Sequence, residues 1–430
     1  MTVDMNISFN EELITQLSKE RNEPEWMLEI RLKAWRLSKE LPLPNIKNAK
    51  LDNWNLEQFN PFINEEPIVD STYLPDEMKN WLDIQEESSL LVQRNSSTFY
   101  HQLNSELLAK GVIFTGLEQA LQEYPELVRD YFLKSLKSSD KVTSLHTALW
   151  SGGLLLYIPK GVQVELPIHA LFVAEKSGLL PHILIIAEAN SSLTYVDHYL
   201  AAEDCQTEVH NGVVEIYVGE NAQVRYATIH NFGSQFYDYT CRQATVARNG
   251  KIEWLIGEMN AGNTLSGNTS YLTGDAAVAD TRSIFIGTGK QRVSLESKVC
   301  HQGIHTESNI TSRGVLLEES SAVFNGVTCI EKGAVKANAA QAEKILMLSE
   351  LAKGVANPVL LIDEHDVMAG HAASAGPVNP EDVYYLMSRG IPKREAEYLI
   401  IQGFLAPVVE KIPLGLREQL QKAIERKLER

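Results

Sequence analysis

Six short phrases decide the fold: ANSSL at Ala189–Leu193, GENAQV at Gly219–Val224, RNGKI at Arg248–Ile252, GDAAV at Gly274–Val278, ESSAV at Glu319–Val323 and EKGAV at Glu331–Val335. Each sets small or polar turn residues ahead of an apolar residue that opens a β-rich run. The first four openers, Leu193, Val224, Ile252 and Val278, follow at intervals of 31, 28 and 26 residues. Helical periodicity is missing from about residue 145 to 375, so no crossover helices separate the strands. Spacing of this kind points to stacked coils whose inward faces are buried only by their neighbours, a right-handed parallel β-helix. A pair of β-sandwiches remains the alternative on pattern alone, and it predicts hairpin turns every 8–12 residues.

Helical text flanks the coils. Asn22-Glu23-Pro24-Glu25 reads as a helix start, with a polar cap, an early proline and acids in the first turn. Met27, Ile30 and Ala34 then recur at helical spacing until Pro42 and Pro44. Pro42 to Pro75, rich in Pro and Asn, reads as an extended linker, and a second helix is expected over Leu117–Ser138. Asn379-Pro380-Glu381-Asp382 caps a helix that should stop at Arg389-Gly390. Pro392 begins another, ending near Gly403, and Leu416, Leu420, Ile424 and Leu428 mark an amphipathic last helix. The expected organisation is a mainly β protein: a mostly helical region over 1–140, the β-helix core over 141–376 and a helical domain over 377–430.

The 430 residues carry a net charge of −17 with 44% apolar side chains, which suits a folded acidic protein and disfavours nucleic acid or anionic lipid as partners. The longest apolar runs, such as LLLYI at Leu154–Ile158 and ILIIA at Ile183–Ala187, fall far short of the roughly 20 residues that span a membrane. No signal peptide opens the chain, and the four cysteines, Cys205, Cys241, Cys300 and Cys329, are scattered. A cytoplasmic protein is expected.

Several motifs invite chemistry. GTGK at Gly287–Lys290 lacks the first glycine, the Ser/Thr and the helix of a phosphate loop, and reads as a turn between strands. AASAG at Ala372–Gly376 lacks the first glycine of a nucleophile elbow and is followed by Pro377. His301 and His305 share a strand face about 13 Å apart, too far to grip one ion without a bend; hydrogen-bonded coil histidines are the favoured reading. Phe232, Phe236, Tyr237 and Tyr239 fit either a sugar platform or stacked core aromatics, the latter more often. The densest cluster is DEHDVMAGHAASAG, Asp363–Gly376, which brings Glu364, His365, Asp366 and His371 into one short span. Imidazole and carboxylate suit iron and similar metals, while a solvated acidic turn explains the same composition. His371 stands out among small residues that let another chain approach closely.

Read in longer blocks, LLIDEHDVMAGHAASAGPVNPEDVYYLMSRGI (Leu360–Ile391) closely resembles the C-terminal signature of the SufB/SufD family of iron–sulfur cluster assembly scaffolds. NEPEWMLEIRLKAW (Asn22–Trp35) resembles the family's N-terminal helical motif, and TSRGVLLEESSAVFNGV and the stretch Lys336–Asp363 resemble its β-helix core. Membership implies a non-catalytic subunit of a SufB–SufC–SufD complex. It would pair with SufB through the β-helix core and dock the SufC ATPase on its C-terminal helices, with sulfur supplied by a cysteine desulfurase. A transient iron–sulfur cluster is implied at the SufB junction, with no cofactor held by this chain alone. Flavin on the assembled complex and self-pairing without SufB are left open.

The AGHAASAG form, with no cysteine after Cys329, resembles the family's D-type members, whose motif histidine maps onto His371. Some of these also carry a cysteine two residues earlier, where this chain has Ala369. His371 is thus the implied cluster or iron ligand, with Glu364 and Asp366 as lesser candidates. Tyr384, Tyr385, Leu386, Met387, Arg389 and Gly390 form the implied SufC surface; their apolar members could equally pack the C-terminal core. Two rival readings remain: a B-type sulfur acceptor, needing a reactive thiol at Cys300 or Cys329, and a carbohydrate-active β-helix enzyme with paired carboxylates.

Overall fold

The computed structural model describes residues 9–44, 66–68, 70–74, 88–136, 140–176, 178–202, 205, 209–412 and 414–428. Most of the expected Pro42–Pro75 linker lies outside the described residues. The core is a parallel β-solenoid of about eight turns. Successive strands alternate between a ten-stranded and a nine-stranded sheet, so each coil contributes one strand to either wall.

The recurring phrases are the corners of the coils. Asn190, Asn221 and Asn249 adopt left-handed backbone conformations, φ 59, 56 and 54°, which asparagine tolerates better than most residues. Their side chains form a ladder: Asn221 Nδ2 donates to Asn190 Oδ1 at 3.1 Å, and Asn249 Nδ2 to Asn221 Oδ1 at 3.0 Å. Ala276, His305 and Lys336 hold the same conformation in later coils. Each of these residues donates its backbone N–H to the coil above, from Asn190 onto Glu220 through to Lys336 onto Asp366. Leu193, Val224 and Ile252 align in register as expected, but Ile252 pairs with Ala279 and not with Val278. The inward opener of that coil is therefore Ala279, and the fourth corner is one residue longer than the phrase suggested.

Strand alternation sends every second side chain into the lumen. One lumen column runs Tyr195, Tyr226, Trp254, Thr281, Ile310, Gln341, His371, each in register with the next. Its first three rings pack with centroids 5.5 and 5.2 Å apart. Each buries roughly 150–250 Å², worth about 4–6 kcal/mol at 25 cal/mol/Å².

Helices clothe both walls. Helices Glu11–Glu20, Glu25–Glu40 and Lys141–Leu149 cover the outside of the nine-stranded sheet, where Trp35, Val142 and Leu149 meet Tyr239 and Leu265. Helices Lys393–Val409 and Leu414–Leu428 cover the ten-stranded sheet, with Ile401, Leu405, Leu420 and Ile424 against Ile229, Leu255 and Ile286. Arg31, within the N-terminal motif, ties its layer to the solenoid. Its guanidinium holds Glu23 at 2.6 and 2.8 Å, donates to the carbonyls of Ala148 and Trp150, and lies over the Trp150 ring.

Some local expectations change. Asn22 sits at φ 51° and closes the preceding helix, its N–H donating to the Lys19 carbonyl and that of Glu23 to Ser18; Pro24 is the N-cap of the helix that begins at Glu25. The single helix expected over Leu117–Ser138 is two, Leu117–Glu123 and Pro125–Tyr131, because Pro125 starts a new one. Helix Lys393–Val409 continues past Gly403. Strands Ser89–Arg94, Ser97–Gln102 and Ile113–Gly116 also lie in the stretch read as mostly helical, and they extend both sheets. No described helix is long and apolar enough to cross a membrane.

Candidate functional site

The two ends of the solenoid differ. At the N-terminal end the sheets finish on antiparallel strands, Ser97–Gln102 and Ile113–Gly116. At the other end they finish on Lys353–Ile362 and Met368–Pro377, each hydrogen-bonded on one side only among the described residues. In a parallel strand the N–H and C=O of one residue point to the same side and alternate along the chain. Met368 and Val378 donate inward, to Ala337 and Met347, so Ala369, His371, Ala373 and Ala375 turn their backbone groups to the open edge. By the same parity, Lys353 and Asp363 bond inward and Pro358 faces outward. Proline there removes a donor from one edge. The other edge keeps its donors from Ala369 to Ala375, losing one only at Pro377 at the strand's end, and around its one imidazole the side chains from Ala369 to Ala375 are small.

His371 is exposed at the mouth of the lumen, one strand spacing above the buried Gln341. Beside Gln341 lies Glu343, fully buried, with both carboxylate oxygens lacking a hydrogen-bond partner. Burial pushes the Glu343 carboxyl up to about 7. The Gln341 amide donates to Thr328 Oγ1 at 2.5 Å and to the Val359 carbonyl at 3.3 Å, which fixes its orientation and leaves Oε1 unpartnered. Across the lumen, Gly326 leaves the space these oxygens fill. A Cβ there would overlap Glu343 Oε1 and lie 3.2 Å from Gln341 Oε1.

The acidic turn does not converge on His371. Glu364 Oε2 accepts from the Gly333 N–H at 3.0 Å and Oε1 from His365, bonds that hold its carboxyl below the usual range. Asp366 and His365 are exposed, and the Asp366 carbonyl accepts from Lys336 to close the coil.

Within the lumen lies a polar network that motif reading missed. Asp238 accepts from His210 Nδ1 at 2.7 Å, His230 Nδ1 at 2.8 Å, Asn260 Nδ2 at 2.6 Å and Thr240 Oγ1 at 3.0 Å. Burial alone would raise the Asp238 carboxyl, but His230 and His210 outweigh it and hold it well below the carboxylate range. These three are the one His/Cys/Asp/Glu group among the described residues whose ligand atoms lie within 4.8 Å of one another. With four donors on Asp238, and Arg242 Nη2 donating to His230 Nε2 at 2.8 Å, the carboxylate is already satisfied and a cation is already present. Charged residues at inward positions of the repeat were the signal that would have found this network.

The remaining motifs fall where strand packing puts them. GTGK forms the turn between Val278–Gly287 and Arg292–His301. His301 is buried between Thr306 and Ser308 hydroxyls, each at 2.8 Å, while His305 occupies a corner at φ 55°. Phe232 and Phe236 stack in the core with centroids 4.7 Å apart. Cys300 and Cys329 are in-register neighbours with free thiols, and burial pushes Cys300 up to about 11.

On the C-terminal domain, helix Pro380–Ser388 starts from the Asn379 cap and ends where Gly390 takes φ 88°. Val383 is its buried residue; Tyr384 and Tyr385 are 73% and 58% exposed and Met387 is exposed, so these three do not serve the domain's core. Leu386 is half-buried, and the exposed Arg389 lies over the Tyr385 ring.

The comparisons agree with this architecture. Residues 171–404 match the family described as SUF system FeS cluster assembly, SufBD core domain, and residues 19–170 match the SufBD protein N-terminal region. The chain is 44% identical, over the full length of both proteins, to the iron-sulfur cluster assembly protein SufD of Bacillus subtilis. It is 30% identical to an iron-sulfur cluster assembly SufBD family protein of Staphylococcus haemolyticus, and 29% to one of Staphylococcus epidermidis, covering 97% of this chain and 93% of each relative. A solenoid of this form, with its helical flanks and the His371 signature strand, matched along nearly its whole length, places the chain in the SufBD family of iron–sulfur cluster assembly proteins.

Proposed function

We propose that the chain is the D-type scaffold subunit of a cytoplasmic SufB–SufC–SufD complex and catalyses no reaction itself. The observation that carries this reading is the unfinished end of the solenoid. A ten-residue strand there has an edge unpaired among the described residues, small side chains and one exposed imidazole at a polar lumen mouth. A SufB-type partner adding a strand to that edge would cover it and complete the core. His371 would then stand at the junction as one ligand to the transient iron–sulfur cargo, with thiolates from SufB supplying the rest. The sulfur would come from a cysteine desulfurase. Tyr384, Tyr385, Met387 and Arg389, exposed on one short helix, are the surface offered to SufC, and residues 377–430 form that docking unit.

The test is co-expression with SufB and SufC, with and without His371→Ala. Recovery of an intact complex with depleted cluster places His371 at the shared site. Equal cluster content in both makes His371 structural and leaves the chain a docking scaffold. Failure of the wild-type chain to join the complex refutes the reading.

A further inference from the structure

The oxygens of Glu343 and Gln341 pose a question that the junction reading does not answer. Both side chains are buried, at 0% and 3% exposure, and both aim acceptors into the space left by Gly326. The Gln341 amide nitrogen is committed to Thr328 and Val359, so the amide cannot turn to offer Glu343 a donor. Glu343 Oε1 and Gln341 Oε1 therefore meet beside Gly326 with no donor among the described residues, and Glu343 Oε2 lacks one as well. Buried acceptors left this way are destabilising unless something positive or protic lies between them. Two further facts indicate what bridges the oxygens. Ala373 and Ala375 are exposed and Ala369 half-buried, so only small side chains of the last strand separate the buried oxygens from solvent. His371 follows Gln341 in the lumen column and lies diagonally above Glu343, about 8 Å away between Cα atoms, within reach of both side chains.

We propose that the mouth of the solenoid binds one divalent cation of the iron(II) class through the Glu343 carboxylate and the Gln341 side-chain carbonyl, with the His371 imidazole as third ligand. A carboxylate, an amide oxygen and an imidazole form a hard-to-borderline donor set suited to Fe²⁺, Mn²⁺ or Co²⁺. It contains no thiolate and would not by itself hold a sulfide-bridged cluster. This deepens the junction reading, on which the role of His371 rests. The chain would hold iron before sulfur chemistry begins, with one open side for ligands from a partner.

The probe is Co²⁺ added to the full-length, untagged chain, followed by its visible d–d absorption, with anaerobic calorimetry using Fe²⁺ alone. One saturable equivalent is expected. Glu343→Gln keeps the shape and should weaken binding at least tenfold. Gly326→Ala fills the space occupied by the carboxylate and should weaken it to a similar degree, so the result does not depend on one variant. His371→Ala should weaken binding about tenfold and shift the band through loss of a nitrogen ligand. The proposal is overturned if the wild-type chain takes up no stoichiometric Co²⁺, since a proton shared between the oxygens would then account for them. It is also overturned if Glu343→Gln binds like wild type, or if His371→Ala changes neither affinity nor band. Complex recovery is scored separately: a chain that binds Co²⁺ but not SufB retains the cation site and loses the scaffold reading. A Glu343→Gln chain that joins the complex without metal uptake supports both.

Discussion

Ala373→Pro tests the open edge with little disturbance to the chain that bears it. Ala373 turns its N–H outward, by the parity that Met368 and Val378 set, so proline at this position breaks no bond to the neighbouring strand Asn338–Met347. Its side chain is exposed at the lumen mouth, which leaves room for the ring. In a complex built by strand addition, the substitution removes one backbone hydrogen bond, a net loss of about 0.5–1.5 kcal/mol, and strands a partner carbonyl at about 1–3 kcal/mol. Together these give roughly 1.5–4.5 kcal/mol, or about a ten- to two-thousandfold loss of affinity for SufB, measured by calorimetry or by retention in a pull-down. Ala372→Pro is the paired control. Its N–H faces Asn338–Met347, so it should lower the melting temperature of the isolated chain, whereas Ala373→Pro should leave that temperature nearly unchanged. If Ala373→Pro folds normally and binds SufB with wild-type affinity, this edge is not the interface.

Three other predictions concern the fold and its thiols. Arg31→Met leaves Glu23 buried without its partner, so the layer over the nine-stranded sheet should lose about 3–5 kcal/mol. Amide exchange in Glu25–Glu40 should then accelerate by about two to four orders of magnitude, and unchanged protection would assign that layer's hold to apolar packing alone. Burial lowers His301 to about 4 and His198 to about 3, so both are neutral in the fold and take up protons on unfolding. Their stabilisation is fully present above pH 6.5 and is lost as pH falls toward 4, by up to about 3 kcal/mol for His301. Melting temperature should fall over that window and fall less in His301→Asn; identical slopes would contradict this account. With Cys300 raised to about 11, its thiolate fraction near neutral pH drops roughly a hundredfold below that of a free thiol. Iodoacetamide should modify it correspondingly slowly, and rapid labelling would revive the sulfur-acceptor reading.

What the sequence made legible followed its local chemistry. The corners were readable because asparagine tolerates the left-handed conformation they require, and the helix starting at Pro380 because Asn379 and Pro380 are strong local signals. The Val278 offset escaped because Ala279 is too small to announce an inward position. The Asp238 network escaped for a different reason. Its members reach Asp238 from up to 28 residues away in sequence and meet only once the coils stack, and each looks locally like a solvated polar residue. Glu343 was hidden in the same way, as one acid in a run of small and polar residues.

His371 was singled out by the small residues around it, and those residues also bear on why the fold ends where it does. Lower in the solenoid the lumen columns are filled with Tyr226, Trp254, Ile256 and Phe285. In the final strand the same columns hold Ala369, His371, Ala373 and Ala375, and Leu361 and Ile362 on the strand before are 51% and 41% exposed. A chain ending its own core would be expected to cap it, as the antiparallel strands do at the opposite end. Here no strand caps it among the described residues, the side chains shrink, the edge around the histidine keeps its donors from Ala369 to Ala375, and Pro358 interrupts the other in mid-strand. Small side chains allow close approach, free donors allow strand addition, and an open polar lumen admits a ligand. Each feature alone weakens a solenoid end; together they make sense when a second protein supplies the next coil.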